Sequence, residues 1–133
     1  MSKILKIKAR QVFDSRGNPT VEAEVFTKKN SASAICPSGA SKGKYEAFEK
    51  RDKNNKRYLG KSVLTAVNLV NKKISKKLKG QIVHNQERID ALMINLDGTK
   101  QKFKLGANAI LAVSMAVKKL SAIEKKYLFI KIF

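Results

Sequence analysis

Apolar positions alternate with a period of two along the first third of the chain. Ile4, Lys6 and Lys8 alternate against Leu5, Ile7 and Ala9, VEAEVF repeats the alternation from Val21 to Phe26, and ASAIC from Ala32 to Cys36 forms a third run. Each run reads as a strand. FDSRGNPT lies between the first two, and its Asp, Gly, Asn and Pro make a turn longer than two residues, so an antiparallel meander is the economical connection.

Further along, the period becomes helical. In SVLTAVNLVNKKISKKL, Val63, Ala66, Val67, Val70 and Ile74 share one face, while Lys72, Lys73 and Lys76 lie off it. A second helix is expected to begin near Asn85, with Ile89, Leu92, Met93 and Leu96 facing inward and DGT from Asp97 ending it. The third, GANAILAVSMAVKKLSAIEKK, is Ala-rich on every side and carries Ile110, Leu111, Val113 and Val117, so it is expected to be the most buried. Asn108 and Ser114 on it would need hydrogen-bond partners, which favours structural over catalytic roles. The final YLFIKIF is an apolar, β-prone run without a polar cap, and more chain is expected to follow it. The fold class is α+β: a three-stranded antiparallel meander, then a helical bundle.

Composition narrows the function classes. The 133 residues are 43% hydrophobic, the size of one domain. No apolar run approaches the roughly 18 residues of a membrane span, and MSKILKIKAR lacks the apolar core of a secretory signal, so a soluble, cytoplasmic protein is expected. Cys36 is the single cysteine, which excludes an internal disulfide and reads as core packing beside Ile35. His84 precedes a helix with no catalytic partner in the sequence nearby. The net charge of +19 invites a nucleic-acid partner, but 24 of the 29 basic residues are Lys, spread from Lys3 to Lys131. No aromatic platform or zinc spacing accompanies them, so a solvated surface without specific nucleic-acid binding is expected.

ICPSGASKGKYEA, from Ile35 to Ala47, is unusually bare of large side chains. A Walker loop is excluded, because Gly39 and Gly43 enclose three residues rather than four and Lys44 precedes Tyr45. A surface turn and a mobile lid both remain open, since small residues serve either.

ARQVFDSRGNPTVEAEV from Ala9, PSGASKGKYEA from Pro37, KRDKNNKRYLGKSV from Lys50, IDALMINLDGT from Ile89 and FKLGANAILAVSMAV from Phe103 resemble, in this order, the amino-terminal domain of the enolases. The resemblance spans nearly all of residues 1–133 and implies the same meander-then-helices fold. It also implies that residues 37–45 form a lid, with Ser38, Gly39, Ala40, Ser41, Lys42 and Gly43 over the substrate and Ser41 lending oxygen to a Mg²⁺ ion. The implied activity is that of a lyase, the Mg²⁺-dependent dehydration of 2-phosphoglycerate to phosphoenolpyruvate in glycolysis. Arg10 and Glu22 are the residues the resemblance places at the subunit contact of a homodimer or higher oligomer, paired with residues of the family's β/α barrel.

Three departures stand out. Lys42 occupies a position where the family commonly has Thr, Leu128 one where it often has Pro, and the barrel is absent from this chain. In the family, the base lysine, the acid glutamate and the metal-binding carboxylates are all on that barrel. The resemblance therefore assigns no catalytic residue here, and the chain alone is expected to be inactive. A truncated non-catalytic fragment, or a basic binding module, is the alternative.

Overall fold

The computed structural model describes residues 2–36, 49–52, 58–102 and 104–132, with side chains as far as residue 126. Three strands, β1 (Lys6–Phe13), β2 (Pro19–Phe26) and β3 (Ser31–Ile35), form one antiparallel sheet in sequence order. The first connection is set by Asp14, whose Oδ1 accepts from the backbone N–H groups of Arg16 and Asn18, both at 2.9 Å. That is the Asp-led turn the sequence called for.

Register follows burial. Ala9 lies opposite Ala23, which lies opposite Ala34, and Ile7, Val25 and Ala32 make the next row of the same face. All except the half-buried Ala9 belong to the core. Small residues at the centre of this face let the helices approach closely.

The alternation fails at one place. Ile4 is 1% exposed and Leu5 is 50% exposed, the reverse of what the period-two pattern implies. The cause is tertiary: before β1 starts, Ile4 bonds both ways to the connector after the first helix, its N–H to Gln81 O at 2.9 Å and its C=O to Gly80 N at 2.8 Å. Ile4 thus turns into the helices before the chain enters the sheet.

Helix α1 covers residues 64–78, as an α-helix over Leu64–Leu69, a π-helical turn over Val70–Ile74 and an α-helix over Ser75–Leu78. Ala66, Val70, Ile74 and Leu78 are all fully buried although spaced strictly by four. An ordinary helix would rotate such a series off its face at 3.6 residues per turn, and the wider π turn takes up the drift. That turn also carries Asn71, whose Oδ1 accepts from Ala9 N at 2.7 Å while its Nδ2 donates to Ala9 O at 3.2 Å. The amide stands where a further strand would pair with β1. Asn71→Leu is expected to cost about 1 kcal/mol, since two neutral hydrogen bonds are lost but water can reach the site. Chemical denaturation would show it as a lower midpoint with an unchanged slope.

Helix α2 (Gln86–Asp97) starts and stops as its sequence predicts. Asn85 Oδ1 accepts from Arg88 N, and Gly98 ends the helix with φ 73°, the left-handed conformation glycine adopts readily. Helix α3 (Ala107–Ile132) lies against β2 and β3. Its sheet-facing stripe is Ala109, Ala112, Val113, Ala116, Val117 and Leu120, all 0% exposed. Apolar residues off that stripe are not covered within this chain: Leu111 and Ile123 are each 42% exposed, against the expectation of burial nearly all round. The backbone stays helical to Ile132, so most of the YLFIKIF run continues α3. Once a helix exists, each added residue costs little, which outweighs a local β preference. Among the described residues no helix is long and apolar enough to cross a membrane.

Candidate functional site

The stretch 37–45, with Ser38, Gly39, Ala40, Ser41, Lys42 and Gly43, lies outside the described residues. What the structure defines is the frame on either side of it.

Upstream, Cys36 extends the pairing of β3, its N–H donating to Val21 O at 2.9 Å and its C=O accepting from Thr20 Oγ1 at 2.7 Å. The thiol is buried, and burial pushes its pKa up to about 11. A thiol held that far above neutrality is a packing group rather than a nucleophile, as the sequence suggested.

Downstream, residues 49–52 are tied to three elements. Asn108, 4% exposed at the start of α3, accepts from Lys50 N through Oδ1 and donates to Lys50 O through Nδ2, both at 3.0 Å. Arg51 donates to Pro19 O at 2.9 Å, also donates to Lys61 O, and forms an ion pair with Glu49. Asp52 receives Leu64 N at 3.0 Å and Thr65 N at 2.9 Å, and its own N–H reaches Ser62 O at 2.8 Å. Helix α1 has no cap from its own Val63, so this carboxylate, from twelve residues upstream, satisfies its first N–H groups. Burial alone would raise the Asp52 pKa, but hydrogen bonds from Thr65, Ser62 and Leu64 outweigh it and hold the carboxyl below its ordinary value.

On the sheet face away from the helices, Arg10 and Glu22 stand opposite each other in register. The guanidinium meets Glu22 Oε1 at 2.8 Å and Glu24 Oε1 at 3.0 Å. Each thus has a partner inside this chain, which sequence reasoning had sought only on a second subunit. The bond to Glu24, ahead of a small opposing effect of burial and the bond to Glu22, raises the Arg10 pKa further, so the cluster stays charged. Lys6 lies on the same face with its ammonium 4.6 Å from the Phe26 ring centre.

The remaining polar residues singled out in the sequence have structural partners. His84 Nδ1 lies 2.8 Å from Ser121 Oγ. Ser114 Oγ donates to Asp90 Oδ1 at 2.7 Å and accepts from Gln86 Nε2 at 3.0 Å, joining α2 to α3. Among the described residues no three His, Cys, Asp or Glu side chains are grouped so as to hold a metal ion. Sequence reasoning missed Asp52, Asp97 and Gly106. The signal for Gly106 was its place just before α3, where its φ is +91°.

The chain matches the family model described as Enolase, N-terminal domain, over residues 4–132. A protein named enolase from Pelagibacter ubique (strain HTCC1062) is 80% identical over 122 residues, covering 92% of this chain and 29% of the relative. Another named enolase, from Methanosarcina mazei, is 60% identical over 120 residues, covering 90% of this chain and 28% of the relative. The chain thus spans less than a third of the length of these curated relatives. With its meander, three helices and ordered motifs all agreeing, the chain belongs to the enolase N-terminal domain family.

Proposed function

We propose that this domain serves an enolase, a lyase that dehydrates 2-phosphoglycerate to phosphoenolpyruvate in the glycolysis of the cytoplasm, and that its contribution is residues 37–45 as a lid over the substrate. The observation that carries this reading is the family match across residues 4–132, which includes the PSGAS stretch. Two fixed roots on the frame, Cys36 and Lys50, support it, because a closing loop needs rigid ends to close against. Small side chains at Ser38, Gly39 and Ala40 admit close approach to a phosphorylated ligand, and Lys42 adds a positive charge at the loop. Ser41 would contribute one oxygen to Mg²⁺, a hard cation suited to hydroxyl oxygen, while the rest of the enzyme supplies the carboxylates that the described residues do not gather. The Arg10–Glu22 face would meet a second subunit in a homodimer or higher oligomer, exchanging or sharing its internal ion pairs.

The test is Ser41→Ala in a complete enolase carrying this domain. Turnover is expected to fall tenfold or more, and the Mg²⁺ concentration giving half-maximal rate to rise, with thermal stability within about 0.5 kcal/mol of wild type, as for most exposed loop substitutions. Unchanged turnover together with unchanged Mg²⁺ dependence would return the stretch to an ordinary turn.

A further inference from the structure

Asn108 spends its whole side-chain amide on the main chain of one residue, Lys50. Two bonds of 3.0 Å, one accepted and one donated, hold Lys50 as a neighbouring strand would. Gly106 makes this possible. A Cβ there would lie 2.5 Å from Lys50 Cβ and 2.6 Å from Asn108 Oδ1, so α3 can meet residue 50 this closely only through a bare backbone. Both bonds are shielded, since Asn108 is 4% exposed.

Lys50 follows Ser41 by nine residues. We propose that Asn108, seated beside Gly106, is a positioning residue for the enolase reaction: it fixes the downstream root from which Ser41 is presented to the substrate. The inference rests on the lid reading of residues 37–45. Its mechanism is geometric rather than entropic. Freeing Lys50 would lengthen the untethered chain by only a couple of residues, and closure entropy varies with the logarithm of length. Orientation is far more sensitive, because a displacement of about 1 Å in a supporting element can cost up to 10²-fold in rate. Asn108 touches no substrate in this scheme and acts through Lys50.

The test uses the full-length enolase with Asn108→Ala, Ser41→Ala and the double variant. Hydrogen exchange should be at least tenfold faster at Lys50 in Asn108→Ala, with the sheet and α3 still protected. The same variant should lose about tenfold or more in kcat, with little change in KM. The double variant should be no slower than Ser41→Ala alone, because two changes acting through one group do not add. Asn108→Asp keeps the acceptor for Lys50 N and should fall between wild type and Asn108→Ala. It also decides the matter by the same readouts should the alanine variant fail to fold. Unchanged exchange at Lys50 overturns the clamp. Faster exchange with wild-type kcat, or losses that multiply in the double variant, overturns the positioning role. Wild-type behaviour of Ser41→Ala by itself instead sinks the lid reading on which the inference depends.

Discussion

Asp97→Ala is expected to destabilise the protein by about 3–5 kcal/mol, the cost of removing a buried charged acceptor with several partners. Asp97 is the last residue of α2 and 0% exposed. Its Oδ1 accepts from Thr99 N at 3.0 Å and from the Thr99 hydroxyl, and its Oδ2 accepts from Leu105 N at 2.7 Å. One carboxylate therefore gathers both ends of the connection that feeds α3. A negative charge at a helix C-terminus is unfavourable in itself, so these bonds must outweigh the helix dipole as well as burial. They do: burial raises the Asp97 pKa, but the bonds from Thr99 and Leu105, helped by Lys102, leave it below the ordinary value. A carboxyl depressed in the folded state stabilises above its unfolded pKa, and that contribution is lost as pH falls through the folded one. Wild-type stability should accordingly decline below about pH 4. Asp97→Asn keeps an acceptor for Thr99 but turns an N–H₂ toward Leu105 N, so it should be less stable at neutral pH and show a shallower acid decline. Some acid dependence should survive because Asp52 is shifted in the same direction. Denaturant titrations at pH 7 and pH 3 test both parts, and an alanine variant within 1 kcal/mol of wild type would refute the assignment.

Gly106→Ala carries the other large expected effect, a loss of about 3 kcal/mol or more, from two sources that add. An L-residue at φ +91° is strained, at about 1–2 kcal/mol. The new methyl would also lie 2.5 Å from Lys50 Cβ and 3.3 Å from Lys50 N, where main chain has to give way. The likeliest way to relieve the overlap is separation of residues 49–52 from α3. A thermal melt would register the loss, and proton shifts of Lys50 and Asn108 would localise it. Gly80 provides the control: its φ is +87°, yet a Cβ there meets nothing within 4 Å, so Gly80→Ala should incur strain without overlap. Equal losses at the two sites would show that crowding against Lys50 contributes nothing.

Local patterns revealed much of the fold because their causes are local. Asp14 in its turn, Asn85 and Gly98 at the ends of α2, and the inward faces of β2 and α1 are all set by residues a few positions apart. Ile4 and Leu5 exchange places because a connector more than seventy residues away captures Ile4. No periodicity along the first strand could report that. Leu111 and Ile123 were misjudged for a similar reason: an Ala-rich helix is apolar on several faces, but only the face meeting the sheet is covered within this chain. For the site, residue types in PSGAS left turn and lid both open, and only resemblance separated them. The frame holding that stretch was not legible at all. Asn108 lies fifty-eight residues from Lys50, and an amide on a helix does not declare in sequence which main chain it will bind.

A three-stranded sheet has two rims, each an invitation for another polypeptide to add itself and for the addition to repeat. Here each rim is met by a polar side chain from a helix. The Asn71 amide pairs with Ala9 midway along β1, and the Lys119 ammonium reaches Ser33 O on β3 at 3.4 Å. At those points the sheet has termination built in, and the helices that cover its face also limit its width. Growth into fibres would first have to dislodge a helix.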